Sequence, residues 1–131
     1  MSDSEHIPTK ILVAEDDALI ATSIREVLSI FGFEVVGVAA TVSDALCIAQ
    51  NNHPDLAIFD VRLAGRRDGI EGATILRTIL DIPVVFLTAQ TDEGTRARAA
   101  AVQPSAYLCK PASPQQIIAA VKGALTRAAE S

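Results

Sequence analysis

The chain has no tryptophan, one tyrosine, four phenylalanines, one methionine and two cysteines. Half of it is nonetheless hydrophobic, so the interior must be filled by small aliphatic side chains. These suit parallel strands and close helix–sheet packing. Cys47 and Cys109 make neither a metal set nor a CxxC motif. Such a pair, in a chain without a secretory signal, reads as two reduced thiols of a cytoplasmic protein. Residues 1–9 are polar and do not read as a signal peptide. No apolar run approaches the roughly 20 residues that cross a bilayer. A basic surplus is missing too: 16 acids face 11 lysines and arginines, for a net charge of −5. That argues against direct nucleic-acid binding, which needs a basic surface, and against an anionic membrane partner.

What is present alternates. The 131 residues fit one domain with its own core. Residues 1–9 read as a disordered lead and 10–128 as the domain. Apolar runs at Lys10–Ala14, Glu34–Val38, Leu56–Asp60, Val84–Thr88 and Ala106–Cys109 read as strands. Between them lie helical patterns over Ala18–Phe31, from Thr41 or Ser43 to Asn52, from Gly69 to Leu80, from Thr91 or Asp92 to Val102, and from Gln115 to Ala128. The inward faces expected include Leu19, Ile20, Ile24, Val27, Leu28 and Phe31 in the first helix. In the third they are Ile70, Ala73, Ile75, Leu76 and Ile79. Strand–helix alternation with short loops predicts an α/β fold: a five-stranded parallel sheet flanked by five helices, in the flavodoxin-like order 2-1-3-4-5.

In that order the carboxyl ends of four strands face one crevice, carrying Glu15-Asp16, Asp60, Thr88 and Lys110. Three acids so close need a counter-charge. A hard divalent cation such as Mg²⁺ supplies one, held by carboxylates, waters and phosphate oxygens. Lys110 suits a phosphate and the Thr88 hydroxyl can bond a phosphoryl oxygen. A carboxylate beside them is a nucleophile in reach. Each residue also has a plainer reading: Asp60 as a turn former, Glu15-Asp16-Asp17 as helix-terminal acids, Thr88 as a β-former and Lys110 as a solvated loop cation. Their convergence on one sheet edge favours the site.

The motifs Ile11-Leu12-Val13-Ala14-Glu15-Asp16, Leu56–Asp60, Asp68-Gly69, Val84–Ala89 and Tyr107-Leu108-Cys109-Lys110-Pro111 resemble the receiver domain of bacterial two-component response regulators. The resemblance implies that Asp60 accepts a phosphoryl group from a sensor histidine kinase or histidine phosphotransfer protein. It implies Mg²⁺ on Glu15, Asp16, Asp60 and the backbone carbonyl of Arg62. It assigns Thr88 and Lys110 to the phosphoryl oxygens, Thr88 and Tyr107 to a switch, and a cis peptide to Lys110–Pro111. Asp17 is expected to start the first helix.

Output would pass through the fourth helix, fifth strand and fifth helix to a downstream protein target or a phosphorelay, and that face is a possible homodimer surface. With only Glu130 and Ser131 after the last helix, no output domain is expected. The loop Leu63-Ala64-Gly65-Arg66-Arg67 departs from the common pattern by one extra residue and lacks its proline. Arg96 and Arg98 are expected as a docking surface or plain solvated charge. Such a protein is a phosphoacceptor switch, not an enzyme. A Mg²⁺-dependent phosphatase fits less well, because its nucleophile ends the first strand. The other alternative is a degenerate receiver that acts as a phosphorylation-independent adaptor; the full residue set argues against it.

Overall fold

The structure is a computed structural model and describes residues 7–130. The expected lead falls mostly outside the described residues; within it, residues 7–9 precede the first strand. The elements run β1 (Lys10–Ala14), α1 (Ala18–Ile30), β2 (Glu34–Ala39), α2 (Val42–Asn52) and β3 (Leu56–Phe59). They continue with α3 (Gly69–Thr78), β4 (Val84–Thr88), α4 (Glu93–Ala101), β5 (Ala106–Cys109) and α5 (Pro114–Glu130). All strand pairs are parallel and the order is β2-β1-β3-β4-β5, as expected.

β3 and β4 are buried at every position, and β1 at all but Lys10, because helices cover both faces of the sheet. On one face Leu12, Phe59, Phe86 and Ala57 pack with Ala45, Ala73 and Leu76 of α2 and α3. On the other, Ile11, Val13, Ile58 and Val85 pack with Ile24, Leu28, Ile118 and Val121 of α1 and α5. The small side chains let the helices sit close. A Cβ on Gly72 of α3 would lie 2.9 Å from the Phe59 ring.

Several expected inward residues point out instead. Leu19 and Ile79 are 80% and 72% exposed, and Phe31 is about half exposed. Leu19 lies in the first turn of α1, while Phe31 and Ile79 are the C-terminal caps of α1 and α3. At helix ends the apolar stripe runs past the sheet that would cover it. Of the alternative starts, Thr41 caps α2, accepting from the Asp44 amide at 3.1 Å, and Asp92 caps α4.

The long loop after β3 is ordered by two contacts. Ala64 bridges Thr41 in parallel fashion and its amide donates to the Ala40 carbonyl at 3.0 Å. Gly65 follows with φ of +92°, a left-handed conformation that glycine adopts without strain.

Candidate phosphoryl and metal site

Three sheet hydrogen bonds continue one residue past the strands. The Glu15 amide donates to Ala39 O at 2.8 Å, that of Asp60 to Ala14 O at 2.9 Å, and that of Lys110 to Thr88 O at 3.0 Å. The ladder therefore fixes the backbones that carry Glu15, Asp60 and Lys110 at one edge. Thr88, the last residue of β4, sits beside them and is fully buried. Glu15 and Asp60 are 3% and 6% exposed, while Asp16 faces solvent. Carboxylate oxygens of Glu15, Asp16 and Asp60 lie within 4.8 Å of one another. An all-oxygen, all-anionic set of this kind fits a hard divalent cation.

Lys110 spans two of the acids. Its Nζ donates to Glu15 Oε1 at 2.5 Å and to Asp60 Oδ2 at 2.6 Å. Burial pushes the Glu15 carboxyl above its usual range, more than the Lys110 contact pulls it down, and the nearby Asp60 carboxylate adds to the rise. At Lys110 burial acts to lower the ammonium, but the hydrogen bonds from both carboxylates outweigh it and the group is held above its ordinary value. The Lys110–Pro111 peptide is cis, as the resemblance implied.

Four backbone devices complete the frame. The Arg62 amide donates to Asp60 Oδ1 at 3.1 Å and the Gln90 amide to Thr88 Oγ1 at 3.3 Å. Asp17 caps α1, accepting from the Leu19 amide at 2.9 Å and the Ile20 amide at 3.1 Å. It thus starts the first helix, as expected, and its own amide donates to Glu15 Oε2 at 3.0 Å. Asp68 caps α3 in a reciprocal box with Glu71, and its other oxygen takes a 2.6 Å bond from Arg98 on α4. Burial alone would raise Asp68; the bonds from Arg98 and the Glu71 amide bring it below the usual carboxylate range.

Tyr107 lies on β5 with its ring 6.0 Å from that of Phe86, and its hydroxyl donates to the Gln90 carbonyl at 2.5 Å. The Arg96 guanidinium stands 4.8 Å from the Tyr107 ring centre. Burial raises the Tyr107 hydroxyl against the opposing pull of Arg96. Arg96 and Arg98 are thus both engaged, one with an aromatic ring and one with a helix cap. Sequence reading missed both contacts and the bond from the Tyr107 hydroxyl to the Gln90 carbonyl. The Asp68…Glu71 spacing was a legible capping-box signal; its tie to α4 had no local signature.

Comparison with known proteins gives the family and the fold. Residues 11–122 match the family model of the response regulator receiver domain. The transcriptional regulatory protein PdtaR of Mycobacterium tuberculosis is 38% identical over 121 residues, covering 92% of this chain and 58% of that protein. The phyllosphere-induced regulator PhyR of Methylorubrum extorquens is 31% identical, covering 89% of this chain and 43% of its own. This chain therefore spans about half the length of the curated relatives it matches. The signal receiver domain of a modulated diguanylate cyclase from Desulfovibrio desulfuricans superposes with a TM-score of 0.90 at 31% identity, covering 95% of this chain and 98% of that one. The chemotaxis protein CheY4 of Vibrio cholerae superposes with a TM-score of 0.82 at 26% identity, covering 91% and 100%. With the fold, the acidic cluster and these matches together, the chain belongs to the response regulator receiver domain family.

Proposed function

We propose that this protein is a phosphoacceptor switch in which Asp60 takes a phosphoryl group from a histidine kinase or a histidine phosphotransfer protein in a Mg²⁺-dependent reaction. The observation that carries the reading is the contact of Lys110 with both Glu15 and Asp60, beside the buried Thr88. Glu15, Asp16, Asp60 and the Arg62 carbonyl would hold the metal. When bound, Mg²⁺ offsets the negative charge of the acids and of the phosphoryl oxygens.

In this reading the Asp60 carboxylate is the nucleophile. Its Oδ1 is oriented by the Arg62 amide and its Oδ2 by Lys110. Lys110 is held protonated, so it reaches a phosphoryl oxygen as a fixed positive charge. Thr88 donates its hydroxyl to another oxygen. Moving Thr88 disturbs the Gln90 amide that bonds it, and Gln90 is also the acceptor of the Tyr107 hydroxyl. Thr88 and Tyr107 are therefore joined through one residue, and the reading passes the switch along that path to α4, β5 and α5. Only Ala99 of α4 is fully buried, so this face is free to carry a downstream protein or a second copy of the chain.

Beside Lys110 a cleft of about 510 Å³ opens between α1 and α5, lined by Ile20, Ile24, Val27, Pro111 and Ile117. It offers an apolar seat for the protein that delivers the phosphoryl group. No described helix is long and apolar enough to cross a membrane. The reading places the switch in the cytoplasm, with Cys47 and Cys109 as free thiols. It acts by changing partners, not by turning over a substrate.

The test is intact mass after incubation with acetyl phosphate, with and without Mg²⁺, on the wild type and Asp60→Asn. Gain of one phosphoryl group that requires both the metal and Asp60 is the expected result. A well-folded wild type that stays unmodified with acetyl phosphate and with a panel of kinases overturns the reading in favour of a phosphorylation-independent adaptor.

A further inference from the structure

Of the 11 lysines and arginines in a chain of net charge −5, five gather on the loop after β3 and on α4: Arg62, Arg66, Arg67, Arg96 and Arg98. Four of them, all but Arg96, line one cleft of about 320 Å³, with Gln90 and Thr95. Its inner wall abuts the Asp60 site. Arg62 and Gln90 line the cleft, and their amides are the ones that bond Asp60 and Thr88.

Surface arginines are usually scattered or paired. Here Arg66 and Arg67 are exposed, and among the described residues neither has a carboxylate within ion-pair distance. Arg98 is paired with Asp68, the one acid lining the cleft, and also feels Glu71. Like charges gathered on one concave wall repel one another and focus a positive potential. The site behind them is of opposite sign: Glu15, Asp16 and Asp60 against Lys110. A phosphodonor is itself an anion, so those acids repel it until a cation offsets them, and even then the site itself offers it no net pull.

We propose that Arg66 and Arg67, with Arg62 and Arg98 behind them, form a collar that steers anionic phosphodonors into the Asp60 site. The inference rests on the reading of Asp60 as acceptor. With acetyl phosphate, an Asp60 oxygen bonds to phosphorus as the bond from phosphorus to the acetate oxygen breaks, and acetate leaves with the electron pair. The collar acts before that step, on encounter. Its effect is therefore felt at donor concentrations below saturation and fades as salt screens it.

The experiment is the rate of acetyl phosphate labelling, with Mg²⁺, for wild type, Arg66→Ser/Arg67→Ser and Arg66→Lys/Arg67→Lys. At low ionic strength the serine pair is expected to be slower by about three- to tenfold. In roughly 1 M salt, where the Debye length is about 3 Å, it matches the wild type. The lysine pair keeps most of the rate at both. No slowing, or equal slowing at both salts, overturns the collar. A second measurement does not need phosphorylation: titration of Asp60→Asn with inorganic phosphate at low salt, followed by amide shifts. Saturable shifts over residues 62–69, lost in Arg66→Ser/Arg67→Ser, support the collar, and their absence overturns it. If the wild type takes no phosphoryl group, the acceptor reading fails, and this titration still decides the collar.

Discussion

A Cβ placed on Gly69 would stand 1.9 Å from the carbonyl oxygen of Asp60. The first residue of α3 thus lies directly against the backbone of the candidate acceptor, and the Gly69 amide donates to Val61 O at 2.7 Å. No rotamer relieves the clash, because both partners are main chain. Gly69→Ala is expected to cost about 1–3 kcal/mol, the range for overpacking, seen as a lower urea midpoint at unchanged slope. Acetyl phosphate labelling should fall further than stability alone explains, since Asp60 is what moves.

Lys110→Met leaves Glu15 and Asp60 buried without their cation. Breaking a buried pair costs about 3–5 kcal/mol, and the lower part of that range is expected because Lys110 is 17% exposed at its side chain. The pH dependence has a definite sign. Glu15 has a folded pKa raised above 4.5, so the native state binds more protons and stability falls as pH rises from about there through the folded value. Removing Lys110 deepens that fall. Lys110 itself is raised above 10.5; its contribution is complete below that value and is lost as pH rises through the folded one. The variant should lack this alkaline limb. Urea midpoints across pH 4 to 11 check both, and a variant whose midpoint falls no more steeply with rising pH than that of the wild type would refute the assignment.

Mg²⁺ is expected to raise the melting temperature through the acidic cluster. Binding stabilises by about 1.4 kcal/mol at ten times the dissociation constant. Asp16→Asn should remove most of that gain while barely altering the metal-free protein, because Asp16 is exposed. Chelation with EDTA should return the wild type to its metal-free melting temperature.

Asp68 separates capping from bridging. Asp68→Asn keeps a good cap, whereas Asp68→Ala loses it at a cost of about 1 kcal/mol. The folded pKa of Asp68 lies below 3.8, so its contribution is present above that value and is lost as pH falls through the folded one. Asp68→Asn should flatten this acid limb. A cycle with Arg98→Ala, read by urea melts, should show coupling with aspartate at 68 and none with asparagine.

The strands were legible because their aliphatic runs are bounded by turn residues, and their buried faces need no partner information. The site was legible for a related reason: Glu15, Asp60, Thr88 and Lys110 each sit at a strand end, so the strand order alone brings them together. Contacts between elements that share no ladder were not legible. Arg98 reaching Asp68, Arg96 over Tyr107 and Gln90 accepting from Tyr107 depend on helix placement to within an ångström or two. Helix ends misled the reading of Leu19 and Ile79 because periodicity says which side a residue faces, not whether anything lies there.

The loop after β3 has two halves that are held differently. Residues up to Gly65 are stitched to the end of β2 through Ala40 and Thr41, and Thr41 is at once the cap of α2. Beyond Gly65, Arg66 and Arg67 are exposed until Asp68 and Gly69 anchor the chain again. Changes of length have somewhere to go in the second half, since a longer exposed span costs little entropy. In the first half they would unstitch the loop and uncap a helix. The stapled segment insulates the acceptor strand from variation next door, so a lineage is free to rewrite the arginine span while the chemistry beside it keeps its register.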